Sequence, residues 1–223
     1  MNTLLAALLS GNTAGFTPKY SVAFEIGQNE HMDPDWDLVE GYQYNTAGFR
    51  LGYNVSPKLE MIASYQNQTT SNYSSYYDYY YDEEYISSAF TGLDAYIEEN
   101  IISVGPKLNL NLKPWFVPYA TGQAVMVQQK LTMHDGASDS DDAITLIEDN
   151  AFGMGLAGAL GLELRSRPVA GKAQLNTFFE YGGVTGPKMN FTLKEAATDG
   201  SDINIGDLQY GGYHFRFGLG ARF

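Results

Sequence analysis

Chemistry that depends on imidazole has three places to start in this chain: His31, His134 and His214. A nucleophilic enzyme needs a hydroxyl, a histidine and usually an acid brought together. His31 lies among Glu30, Asp33 and Asp35, His134 lies beside Asp135, and His214 lies between Gly212 and Arg216. None stands in a hydrolase motif. The first two read as solvated loop residues and the third as a packing group. Metal chemistry is no better served. Asp33-Pro34-Asp35-Trp36-Asp37 alternates oxygens as a calcium loop does, but lacks the glycine and the closing glutamate of such a loop. Asp135, Asp139, Asp141 and Asp142 form a second acidic cluster. Like charges crowded on a loop repel and stay solvated. The chain therefore reads as a non-enzyme with no metal and no cofactor.

A second set of charges follows a stricter pattern. Glu25, Glu60, Glu163 and Glu180, with Arg50, Lys107, Arg165, Arg216 and Arg222, fall in segments where residue types alternate with period two. Each occupies the face opposite large apolar side chains, as successive residues of a strand do. The other 22 of the 26 acidic residues lie in long polar connections.

Eight segments carry that alternation: Lys19–Gln28, Tyr44–Val55, Leu59–Gln68, Asn100–Leu112, Trp115–Gln129, Ala151–Arg165, Lys172–Gly182 and Tyr210–Phe223. The last is the clearest. Tyr213, Phe215, Phe217, Leu219, Ala221 and Phe223 form one face; Gly212, His214, Arg216, Gly218, Gly220 and Arg222 form the other. Lipid outside and a crowded polar lumen inside explain such a strand. In the fifth segment the apolar face is read as Trp115, Val117, Tyr119, Val125 and Val127, interrupted by Gln123. In the sixth, the face opposite the leucines is Gly153, Gly155, Ala157, Ala159 and Gly161. A soluble exterior would favour Lys, Glu and Thr there, whereas a narrow eight-stranded lumen favours small residues. Tyr20, Tyr53, Tyr65, Trp115, Tyr119, Tyr181 and Tyr213 are placed as interfacial girdles.

Short turns join alternate segments (Ser56-Pro57-Lys58, Lys113-Pro114, Ser166 to Gly171) and long loops join the others. The expected fold is an all-β, transmembrane, up-and-down antiparallel barrel of eight strands over residues 18–223, with residues 1–17 as a leader or truncated signal segment. No run of 18 apolar residues offers a transmembrane helix. Cysteine is absent, which suits passage through an oxidising compartment. A net charge of −13 and the lack of a basic patch exclude nucleic acid.

The eight strands and the terminal motif resemble the small outer-membrane barrels of Gram-negative bacteria, the OmpA-type and OmpX-type group. The resemblance implies export, an outer-membrane location with extracellular loops and periplasmic termini, and contact with outer-membrane lipid and lipopolysaccharide. It also implies that Gly212, Phe215, Phe217, Leu219 and Phe223 serve as the signal read by the barrel-assembly machinery. The task is not implied, because the fold hosts many. A monomer is expected. Closure would set strands 7, 8, 1 and 2 side by side, so Glu180, Arg216, Glu25 and Arg50 are expected to form a lumen charge network. Lys107 with Glu60 would form a second pair, with Glu163 in the same lumen. Loop 2, with Tyr76, Tyr77, Tyr79, Tyr80 and Tyr81, suits either a surface that grips a protein or glycan or a hairpin stiffened by Tyr ladders. The function expected is a surface structural or interaction protein with a filled lumen. A narrow pore and a lipid A-modifying enzyme are the rivals.

Overall fold

The computed structural model describes residues 17–31, 44–82, 85–110, 113–135, 144–169, 172–192 and 207–223. The proposed leader and most of the connections at the loop rim, including the acidic segment around Asp33 and that around Asp139, lie outside the described residues. Eight strands form: β1 (Tyr20–His31), β2 (Tyr44–Ser56), β3 (Leu59–Asp82), β4 (Tyr85–Asn109), β5 (Phe116–Asp135), β6 (Ile144–Val169), β7 (Ala173–Asn190) and β8 (Asp207–Arg222). Each pairs antiparallel with its chain neighbours, and β8 returns to β1, closing the barrel. Closure removes the unpaired sheet edges that a bilayer cannot solvate.

An outward apolar belt encircles the barrel. Phe24, Phe49, Leu51, Val104, Leu160 and Leu219 are among its exposed members. Among the described residues, no charged side chain faces outward within it. Tyr20 packs against Tyr53 near the turn rim, with ring centroids 5.6 Å apart. Tyr65, Tyr181 and Tyr213 stand exposed toward the loop rim. Burying this belt anywhere but in lipid would leave a water-soluble protein clad in leucine and phenylalanine.

Three expectations are corrected. β5 has the opposite phase: Val117, Tyr119, Val125 and Val127 point inward and are buried, while Ala120, Gly122, Ala124 and Met126 face lipid. The even face is small and apolar, so its hydrophobicity is quiet, and the polar Thr121 and Gln123 belong with the buried set. Trp115 lies in the turn before β5 rather than in the strand. Finally, much of the expected loop 2 is strand. The β3–β4 ladder continues without a break from Leu59↔Leu108 to Asp82↔Tyr85. Threonine and tyrosine there favour extended pairing.

Candidate functional site

The interior is built in two storeys from the inward positions of the same strands. The storey inside the belt is charged. Arg50 on β2 reaches across the lumen: its Nη1 and Nη2 donate to Glu180 of β7 at 2.9 and 3.2 Å, and its Nε lies 2.9 Å from Glu25 of β1. The guanidinium also covers the Phe178 ring at 4.3 Å. Gln66 Nε2 donates to Glu25 at 2.6 Å. Arg216 on β8 lies 3.5 Å from Glu180, and His214 Nε2 lies 3.7 Å from the same carboxylate.

A second cluster lies nearer the turn rim. Glu163 on β6 accepts from Lys107 Nζ at 2.7 Å and from Arg222 and Arg165 at 2.9 Å each. Asn176 adds a fourth bond at 3.0 Å. Glu60 lies 3.2 Å from Lys107 and 3.3 Å from Arg222, and accepts from Ser21 at 2.6 Å. Lys107 and Glu60 face each other in register on β4 and β3. Buried charges persist only when paired and hydrogen-bonded this densely.

Tyr119 joins the two clusters. Its hydroxyl donates to Glu180 at 3.2 Å, and Lys107 Nζ sits 4.5 Å over its ring. Gly161, directly opposite on β6, has no side chain because the Tyr119 ring fills that space: an added Cβ would come within 2.2 Å of it.

Every charged residue expected in the lumen network is therefore in one cluster or the other: Glu25, Arg50, Glu180 and Arg216 above, and Glu60, Lys107 and Glu163 below. Sequence reasoning missed Arg222 as the link between Glu60 and Glu163, and Tyr119 as the link between clusters. Gln123, which interrupts the assumed apolar face of β5, was the available signal for Tyr119. The terminal signal residues Phe215, Leu219 and Phe223 face lipid and Gly212 is buried beside them. The backbone of Tyr76, Tyr77, Tyr79, Tyr80 and Tyr81 lies in β3; their side chains lie outside the described residues.

Above the belt the interior turns apolar. Ala95, Ile97, Leu131, Met133, Ile147 and Met189 are fully buried inside the barrel. The outward positions there are polar: Glu98, Asn100, Gln128, Lys130 and Asn150. A buried carboxyl sits within this cap. Glu99 is buried at the base of the cap between Gln68 and Gln129, in register on β3 and β5, and accepts from Gln129. Loss of hydration pushes its carboxyl up to about 7. On the cap's outer surface, backbone amides of Thr192 and Asn150 donate to Asp149 and hold its carboxyl below the usual range. His134 Nδ1 lies 3.2 Å from Thr145 Oγ1 beside a β-bulge.

A closed barrel with a lipid-facing belt and a charged lumen defines an eight-stranded transmembrane β-barrel of the outer-membrane kind. Solved structures similar to the chain are of the same kind. One is the outer membrane protein OprG from Pseudomonas aeruginosa, at 12% identity and a TM-score of 0.49, covering 96% of this chain and 99% of that chain. Another is Ail, the attachment invasion locus protein of Yersinia pestis, at 11% identity and a TM-score of 0.42, covering 92% and 97%. A third is CarO of Acinetobacter baumannii, at 13% identity and a TM-score of 0.38, covering 96% and 100%. No protein-family model and no curated protein matches the chain.

Proposed function

We propose that the protein is a sealed outer-membrane scaffold that displays a tall, tyrosine-rich ribbon at the cell surface, with its termini in the periplasm. The burial of the lumen charges carries this reading. Glu25, Glu163 and Glu180 are at most 1% exposed, and Arg50, Lys107, Arg216 and Arg222 at most 5%. Water does not reach these heads, whereas a conducting pore would leave them wet. The apolar cap adds a second seal.

What remains to act is the surface. β3 pairs with β2 only as far as Gln68, and β4 pairs with β5 only from Leu93 onward. Among the described residues, 75–82 and 85–92 therefore form a ribbon paired only with itself, about 26 Å long at the rise of a strand. Exposed edges are commonly blunted by lysine or proline. No Lys, Arg or Pro occurs between Leu59 and Gly105, and the ribbon carries Asp78 and Asp82 with no basic residue. Such an edge suits contact with a protein or glycan partner, and its charge favours a basic one. The lipid A-modifying reading finds no support in the lumen, where His214 is buried beside Glu180 and Arg216.

Single-channel recording of the refolded barrel in planar bilayers tests the reading. Silence is expected. Steady, reproducible current would replace the scaffold with a pore.

A further inference from the structure

Charge is divided between the two ends of this barrel. The chain carries −13 overall, and 22 of its 26 acidic residues lie in the long polar connections. The turn rim is the reverse. Lys19 stands at the entry to β1, Lys58 in the β2–β3 turn, Lys113 in the β4–β5 turn, and Arg167 and Lys172 on either side of the β6–β7 turn. The four lysines are exposed, and among the described residues none of them is ion-paired. Within ten residues of each along the chain, the acids are Glu25, Glu60, Glu163 and Glu180. All four are at most 1% exposed and are engaged inside the lumen by Arg50, Lys107, Arg165, Arg216 and Arg222. The positive charge of the turn rim is therefore left uncancelled.

The segments that carry these lysines are tied into one rim. The backbone N–H of Asn54 donates to Lys19 O at 2.8 Å, that of Asn109 to Lys58 O at 2.8 Å, and that of Arg165 to Trp115 O at 2.9 Å. Across the closing seam, Phe223 N donates to Tyr20 O at 2.8 Å. The basic residues thus form a ring around the barrel rather than a patch on one side. Each lysine lies within three residues of an outward, exposed apolar side chain: Tyr20, Val55, Leu110 and Leu175. The ring stands where the apolar belt ends, at the depth of lipid head groups. Lys113 Nζ also lies 5.6 Å over the Trp115 ring, a cation resting on an interfacial aromatic.

We propose that this ring binds the phosphates of net-anionic glycerophospholipids and selects them from the leaflet that surrounds the turn rim. The charges are spread around the circumference at the edge of the belt. A leaflet meets every one of them there, whereas a docked protein would cover a few. Lysine suits the task, because its stem lies along apolar surface while its ammonium reaches the head group. Basic residues beside an anionic leaflet are attracted to it. The acidic loop rim repels the same head groups, which confines the selection to one end. That the leaflet is the periplasmic one rests on the orientation proposed above; the selection itself does not.

Electron spin resonance of labelled lipids tests the ring. The barrel is reconstituted in phosphatidylcholine with a trace of spin-labelled phosphatidylglycerol or phosphatidylcholine of identical chains, and the immobilised fractions are compared. Wild type should favour phosphatidylglycerol about threefold at low salt, and the preference should fade in about 0.5 M salt as the charges are screened. Lys19→Gln, Lys58→Gln, Lys113→Gln and Lys172→Gln together should remove the preference at an unchanged unfolding temperature, since all four side chains are exposed. Arginine at the same four positions should keep it. Equal immobilisation of the two lipids by wild type would overturn the proposal, and so would a preference that survives the glutamine changes or high salt. Lys58→Cys, probed on intact Gram-negative cells with a membrane-impermeant maleimide, checks the orientation separately. Protection is expected; labelling would put the turn rim outside and overturn its periplasmic placement, whatever the vesicles show.

Discussion

β5 runs through two environments, and its residues change sides between them. Within the belt its outward residues are Ala120, Gly122, Ala124 and Met126, and its inward ones are Tyr119, Thr121, Gln123 and Val125. Above the belt the outward residues are Gln128, Lys130 and Thr132, and the inward ones are Val127, Leu131 and Met133, with Gln129 among them bonded to Glu99. The backbone alternation never breaks; the solvent does. In lipid, apolar groups have nothing to gain from moving inward, so the interior is free to be polar, provided each charge is satisfied. In water, burial of apolar surface again drives association, and the interior becomes an ordinary hydrophobic core. One barrel therefore holds itself together in two ways, by ion pairs below and by hydrophobic packing above.

The comparison is broken most severely at Glu163. Glu163→Ala leaves Lys107 and Arg222 facing only Glu60 and takes away the carboxylate that Arg165 pairs with, and should cost about 3–5 kcal/mol, the range for breaking a buried ion pair. Urea unfolding from lipid vesicles measures it; unchanged stability would refute the charged storey as a structural element. In the cap the corresponding loss is a cavity. Leu131→Ala should cost about 2–5 kcal/mol. Hydrogen exchange should quicken around residues 95–101 and 127–133 while the belt stays protected. Exchange that quickens equally in both storeys would show them to be one cooperative unit.

Tyr119→Phe is milder. It removes the hydroxyl that donates to Glu180 and keeps the ring beneath Lys107, so about 1 kcal/mol is expected from the same unfolding assay. The smallest effect is the pH response of the cap. Because the Glu99 carboxyl is raised to about 7 in the folded cap, its contribution to stability is complete below pH 4.5 and is lost as pH rises through 7. Exchange rates in the cap should rise over that window, and Glu99→Gln should remove the slope. A slope that survives the substitution would assign it to another group.

The sequence made most of the architecture legible. The alternation of β8, with Phe215, Leu219 and Phe223 opposite His214, Arg216 and Arg222, needed only period two to read. The glutamates and arginines of the lumen were legible for the same reason, since charge is excluded from the opposite face. β5 was misread because hydrophobicity alone does not say which solvent a strand is in. Val127 looks like a lipid-facing residue until the strand is known to have left the bilayer, and Tyr119 until its hydroxyl is found on Glu180. The full reach of β3 and β4 was obscured for a related reason: tyrosine, serine and aspartate read as loop, yet they pair well when both strands continue together.

Because the chain contains no cysteine, single spin labels along β5 test the central claim directly. Cysteines at positions 120 to 133 would be labelled one at a time and their collision rates measured with oxygen, which concentrates in lipid, and with a water-soluble nickel chelate. At even positions, oxygen should dominate through Met126 and the chelate from Gln128 onward, while odd positions stay shielded from both throughout. Chelate access at Val125, Val127 or Leu131 equal to that at Lys130 would show a water-filled interior and contradict the two-storey barrel.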